Sequence, residues 1–157
     1  MKITNKIICN KNEVESLKKY LIENSYVSAP ITLINRGARV CKGIIEKTDD
    51  VGLIKTCWSE LGRIKSIERF NQNNFLVKQV VPILKESNCK DENDKLGDIL
   101  ACKKKYSKNQ LELVITLLKI NGLIIADGNT RVVACYEYNF ERKENITNLP
   151  IYLISEV

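Results

Sequence analysis

The last third of this chain constrains its fold most, because strand and helix signals alternate there in a fixed order. Leu111 to Ile120 reads as an apolar strand run, Asn121-Gly122 supplies the two positive-φ residues of a type I′ hairpin turn, and Leu123 to Ala126 returns antiparallel. Asp127-Gly128-Asn129-Thr130-Arg131 follows at once, then a helix over Val132 to Phe140 and a final strand over Leu149-Pro150-Ile151-Tyr152-Leu153-Ile154. The fold class expected is α/β in the broad sense, α+β in detail: a single domain with a small mixed sheet flanked by helices.

The rest of the chain is read around that core. Met1 to Cys9 is a short strand-like stretch, and Asn12 to Asn24 an amphipathic helix with Val14, Leu17 and Leu21 at helical spacing and an Asn12/Glu15 cap. Pro30 ends any continuation of that helix. Ile31 to Ile34, Val40 to Ile45 and Gly52 to Cys57 read as three strands of a small antiparallel meander, separated by turn signals at Asn35-Arg36-Gly37 and Thr48-Asp49-Asp50. Trp58 to Phe70 reads as a loop with short helical pieces, with Trp58 itself a core anchor. Phe75 to Lys85 reads as a helix that Pro82 kinks or shortens. The polar stretch Glu86 to Asp94 is expected as an exposed loop, and Lys95 to Tyr106 as a helix capped by Asp94. With no internal repeat and no linker, residues 1–157 form one domain, in which 1–57 extend a core of 58–157.

Composition removes whole classes of chemistry. The 157 residues include no histidine, which excludes Ser-His-Asp and Cys-His sites, a histidine base and histidine-ligated metals. The six cysteines, Cys9, Cys41, Cys57, Cys89, Cys102 and Cys135, include no Cys-x-x-Cys pair and read as reduced, buried thiols. No signal peptide and no apolar run long enough to span a bilayer stands out, so a cytoplasmic location without membrane contact is expected. The net charge of +6 suits a polyanionic partner as well as simple solubility. Lys103, Lys104 and Lys105 crowd the end of a helix, where they either touch nucleic acid or complement the helix dipole.

The Asp127–Arg131 loop carries the chemistry. A glycine between a strand end and a helix start lets an anion approach backbone N–H groups at the positive end of the helix. Gly128 permits the approach, Asn129 or Thr130 caps the helix, and Arg131 offers a fork of donors to a phosphate. Asp127 reads either as a metal-bridging or hydroxyl-orienting carboxylate or as a turn former, and the whole loop either as a phosphate cradle or as turn chemistry.

This region resembles the ParB/sulfiredoxin-like superfamily, in which a hairpin leads into a Gly-x-x-Arg-x-x-Ala box, often with a leading Asp, that opens a helix before a final strand with Pro near its start. Here the box is Gly128-Asn129-Thr130-Arg131-Val132-Val133-Ala134, preceded by Asp127 and followed by Leu149-Pro150-Ile151, and the resemblance covers about Leu96 to Val157. It implies that Gly128, Asn129, Thr130 and Arg131 cradle the phosphates of a nucleotide, ATP, ADP or CTP, with Mg²⁺ at Asp127. Sulfiredoxins place a cysteine and a histidine where this chain has Asn129 and Thr130, so sulfinic acid reduction is not expected. The serine kinases of the superfamily carry two histidines there, and ParB partition proteins two arginines and a helix-turn-helix domain. A complete partition protein is not expected of a chain that stops at Val157. In kinase-like members a catalytic carboxylate precedes the first long helix; Glu60 and Glu68 are the acidic residues available, and Arg63, Lys65 and Arg69 around them make a second basic arm or a solvated loop. Three functions follow as expectations: a nucleotide hydrolase or phosphotransferase, a DNA-binding module or metal-assisted nuclease, or a non-catalytic regulatory member.

Overall fold

A computed structural model describes residues 1–25, 28–58 and 73–156. Helices cover both faces of a five-stranded mixed sheet, an α+β domain as the sequence implies. Trp58 is buried at 2% exposure, as a core anchor should be, while 59–70 of the expected loop, with Glu60, Arg63, Lys65, Glu68 and Arg69, lie outside the described residues.

Strand β1 (Ile3–Ile8) leads into helix α1 (Lys11–Asn24). The helix starts slightly earlier than its periodicity suggests, because Asn10 and Glu13, not the expected Asn12 and Glu15, make the capping box: Glu13 N–H donates to Asn10 Oδ1 at 2.9 Å and Asn10 N–H to Glu13 Oε1 at 3.4 Å. The expected strand at Ile31–Ile34 is instead part of helix α2 (Ala29–Asn35). Pro30 opens that helix rather than ending one, since a proline in the first turn lacks only an N–H that no helical carbonyl would reach. Gly37, at φ +88°, turns the chain into strand β2 (Arg39–Lys47).

The Thr48-Asp49-Asp50 turn and the start of the expected strand at Gly52 form the short helix α3 (Thr48–Gly52), so the meander does not form. Thr48 ties its start to the far end of the chain, its N–H donating to Asn145 O at 2.9 Å and its hydroxyl to Glu144 O at 2.7 Å. Gly52 is required by packing, because a Cβ there would lie 2.7 Å from the Tyr136 ring. Beyond it Lys55 is extended, bridging to Leu76 and, in parallel, to Ile124.

Helix α4 (Val77–Lys85) contains Pro82 and buries Val77, Val80, Val81 and Leu84. Helix α5 (Lys90–Ser107) begins ahead of the expected Lys95, with Cys89 rather than Asp94 at its N-cap; Asp91 and Glu92 in the first turn favour the early start by opposing the positive helix end. Strand β3 (Thr116–Lys119) is shorter than the apolar run Leu111–Ile120. It pairs in parallel with β5 (Ile146–Ser155) from Thr116↔Tyr152 onward, and Tyr152 N–H donates to Ile115 O at 2.8 Å. Two residues back along β5, Pro150 has no N–H to continue that ladder, so the pairing stops there.

The Asn121-Gly122 turn has φ +48° and +105°, as a type I′ turn requires, and leads into strand β4 (Leu123–Asp127). Helix α6 (Asn129–Glu141) begins three residues before Val132, with Gly128 as its N-cap.

The strand order is β1-β2-β5-β3-β4, antiparallel except for β5 beside β3. β1 and β2, from the first 57 residues, thus share one sheet with β5, so no boundary in the sheet separates the N-terminal part from the rest. Ile45, Leu117, Ile125, Leu149 and Ile151 join the core that includes residues of α3 to α6. On the opposite face Val40, Leu118, Ala126 and Ile154 pack with Leu17 and Leu21 of α1, and with α2. β1 is an edge strand with a register shift between Thr4 and Ile7, where Asn5 has φ +51°.

Candidate functional site

A cavity of about 230 Å³ lies where β4 ends and α6 begins, and Asp127 to Arg131 line it. The box builds this place through one backbone device: Gly128 is left-handed, φ +101° and ψ +22°, and a Cβ on it would lie 2.7 Å from Ile115 Cδ1. With glycine at the N-cap no side chain makes a capping hydrogen bond to the helix start, although the Arg131 guanidinium lies beside it, its Nη2 3.2 Å from where a Gly128 Cβ would stand. The first-turn N–H groups have no helical carbonyl to bond. Asn129 and Thr130, expected as alternative caps, are already the first helical residues.

Asn129 has another job. Its Oδ1 accepts from Cys57 N–H at 3.0 Å and its Nδ2 donates to Cys57 O at 2.9 Å, so one amide grips both main-chain groups of a residue remote in sequence. This places Cys57 and Trp58 on the cavity wall. Lys95 of α5 completes that wall, its Nζ 5.1 Å from the Trp58 ring centroid, in cation–π range.

Arg131 turns back rather than outward. Its Nη2 donates to Asp127 Oδ2 at 2.9 Å and its Nη1 to Tyr20 Oη at 2.6 Å. The Asp127 and Arg131 side chains are only 11% and 19% exposed. Burial raises the Asp127 carboxyl above its ordinary range, against the pull of Arg131 and a hydrogen bond from Ser25. Burial works against the Arg131 charge too, but the bonds to Tyr20 and Asp127 outweigh it and hold the guanidinium more firmly protonated.

Asp127, Gly128, Asn129, Thr130 and Arg131 are therefore brought together around one cavity, with Asp127 and Arg131 paired to each other. The three lysines are not brought there. Lys103 Nζ bonds both oxygens of Glu141, each at 2.9 Å, at the opposite end of α6 from Gly128. Lys104 and Lys105 are exposed beside it, and about 12 Å of helix separates Lys103 from Lys95. Arg69, Glu60 and Glu68 lie outside the described residues.

The cavity residues that sequence reasoning missed come from elsewhere in the chain: Asn24 and Ser25 at the end of α1, Cys57, and Lys95. Tyr20, which anchors Arg131, was also missed. Nothing in their local spacing marks them, because tertiary packing alone brings them to the box.

For an anion the residues fit: a helix start with no side-chain cap, the Arg131 guanidinium beside a glycine that admits no Cβ, and Lys95. For Mg²⁺ they offer one carboxylate, Asp127, and among the described residues no group of three or more His, Cys, Asp or Glu can hold a metal ion. A magnesium ion would depend on phosphate oxygens for most of its ligands. No disulfide joins the six cysteines; Cys9, Cys41 and Cys135 are buried, and burial pushes the Cys135 thiol up to about 12. No described helix is long and apolar enough to cross a membrane. Comparison with protein-family models, curated proteins and solved structures finds no match to this chain.

Proposed function

We propose that this chain is a ParB/sulfiredoxin-like domain that binds the phosphates of a nucleotide, ATP, ADP or CTP, at the start of α6, for phosphoryl transfer or hydrolysis. The observation that carries the reading is Gly128: a left-handed N-cap that leaves the first turn of α6 open at a cavity also lined by Lys95. The N–H groups of Asn129, Thr130 and Arg131 take phosphate oxygens, and Lys95 neutralises charge from the opposite wall. Arg131 acts mainly as a positioning residue, since it fixes the Asp127 carboxylate. Asp127, so held, orients a hydroxyl or water against the bound phosphate. Asp127, with the nucleotide's own phosphates, would hold Mg²⁺, which would supply charge neutralisation.

The DNA-binding or nuclease reading is supported less, because the lysines it relies on lie at the other end of α6 and Lys103 is paired with Glu141. The test is a thermal-shift screen of wild type, Lys95→Ala and Gly128→Ala against ATP, ADP, CTP, GTP and a short DNA duplex, each with and without Mg²⁺. One nucleotide near a hundred times its Kd should raise Tm by about 5 to 10 °C. That shift should shrink in both variants. No shift with any nucleotide overturns the reading, and a shift with the duplex alone replaces it with the DNA-binding one.

A further inference from the structure

Two adjoining cavities of about 410 and 400 Å³ share Lys6 and Leu153 and lie away from the α6 site. Their lining comes from the strands, the hairpin turn, the two chain ends and the Leu53–Lys55 stretch, with no residue of helices α3 to α6. Together they form one groove on the sheet face that those helices cover elsewhere, because Ile3, Leu123 and Leu153 of its floor also pack against that core. Strand register lines the groove up: Arg39 pairs with Ser155, Ser155 with Lys119, and Lys119 with Leu123, a row across four strands. At the β1 edge Lys6 reaches over Gly43, its Cγ 3.6 Å from where a Cβ would stand. Beyond β4, Lys55 continues the row through its parallel bridge to Ile124.

The charge on this row is one-sided. Lys6, Arg39, Lys55 and Lys119 are all exposed, and Glu156 is the single acidic residue in the lining. None of the four cations takes part in an ion pair among the described residues. The floor is apolar, and Leu53 and Met1 stand exposed at 46% and 54% on its margin. From β1 to Lys55 the groove crosses five strand spacings, roughly 24 Å, which an extended peptide spans in about seven residues. No aromatic side chain lines it, so the stacking platform on which single-stranded nucleic acid depends is missing.

The geometry points to a docking groove for an extended acidic peptide, its carboxylates on Lys6, Arg39, Lys119 and Lys55 and its apolar side chains on the floor around Leu153. This goes beyond nucleotide binding and stands independently of it. The test is fluorescence anisotropy on the full chain with a labelled eight-residue peptide alternating Glu and Leu, a Lys/Leu counterpart and a ten-nucleotide oligo-dT. The proteins are wild type, Lys6→Glu/Lys119→Glu, and Lys11→Glu/Lys19→Glu, which makes the same charge change on exposed α1 positions. The Glu/Leu peptide should bind wild type and the α1 variant alike, lose about tenfold or more in affinity for Lys6→Glu/Lys119→Glu, and weaken with salt. The Lys/Leu peptide should not bind. Equal weakening in the two variants would reduce the effect to net charge and overturn the proposal. So would oligo-dT binding more tightly than the peptide and losing affinity only in Lys6→Glu/Lys119→Glu, which would make the groove a nucleic-acid site.

Discussion

At the scale of single residues, Asn129 shows how the box supports the site without touching a ligand through its side chain. It is buried at 9% exposure, and its amide satisfies both the N–H and the C=O of Cys57. Asn129→Ala leaves those groups without their partner, which should cost about 1–3 kcal/mol in urea denaturation and loosen the Trp58 wall of the cavity. Asn129→Asp keeps the acceptor for Cys57 N–H but turns the donor into a carboxylate oxygen facing Cys57 C=O, so at neutral pH it should be at least as destabilised as alanine in the same urea titration. What the sequence made legible here was the order of the backbone: Asp127 at a strand end, Gly128 between strand and helix where the chain comes close, and Arg131 in the first turn. The target of Asn129 was not legible, because Cys57 lies 72 positions away and a side chain's long-range partner leaves no mark on local spacing. For the same reason Arg131, an obvious phosphate donor in sequence, turns out to be held by Asp127 and Tyr20.

At the scale of elements, Pro82 in α4 is a local flaw that the surrounding packing carries. It lies inside Val77–Lys85, is itself exposed, and lacks the N–H that would reach back to Lys78. Pro82→Ala restores that donor without disturbing the buried Val77, Val80, Val81 and Leu84 face. It should stabilise the protein by about 1–2 kcal/mol, read as a higher urea midpoint at unchanged m-value. The elements the sequence disclosed are those whose signal is local: the amphipathic α1, though not its cap, the strand β2, the Asn121-Gly122 hairpin, and α6 with β5 behind it. Short elements misled it. Ile31–Ile34 has strand-like residues, yet Pro30 in a first turn and Gly37 beyond it make a helix of seven residues. Thr48–Gly52 is helical because Thr48 is fastened to Glu144 and Asn145, nearly a hundred positions on. The apolar run before β3 failed as a strand because its neighbour across the parallel ladder is Pro150.

For the whole molecule, the decisive fact is that β2 lies between β1 and β5, so the sheet cannot be cut at residue 57 without exposing its middle. A fragment of residues 58–157 should therefore fail to fold, giving no cooperative thermal transition and collapsed amide dispersion in NMR spectra, while the full chain melts in a single step. Helix α1 also supplies Tyr20 to Arg131, so the same fragment would lose part of the box's support even if it held together. The bulge at Asn5 has a further consequence for how copies of this chain meet. An outer strand with regular spacing is a template onto which another molecule can add, and repeated addition builds fibres. In β1 the shift between Thr4 and Ile7 breaks the regular row of main-chain donors and acceptors, and the same kink belongs to the edge that sends Lys6 over Gly43. At the opposite edge Lys55 already occupies the flank of β4 beside Ile124. Both margins of the sheet are thus poor starting points for runaway polymerisation, which lets the groove between them stay open in a crowded solution.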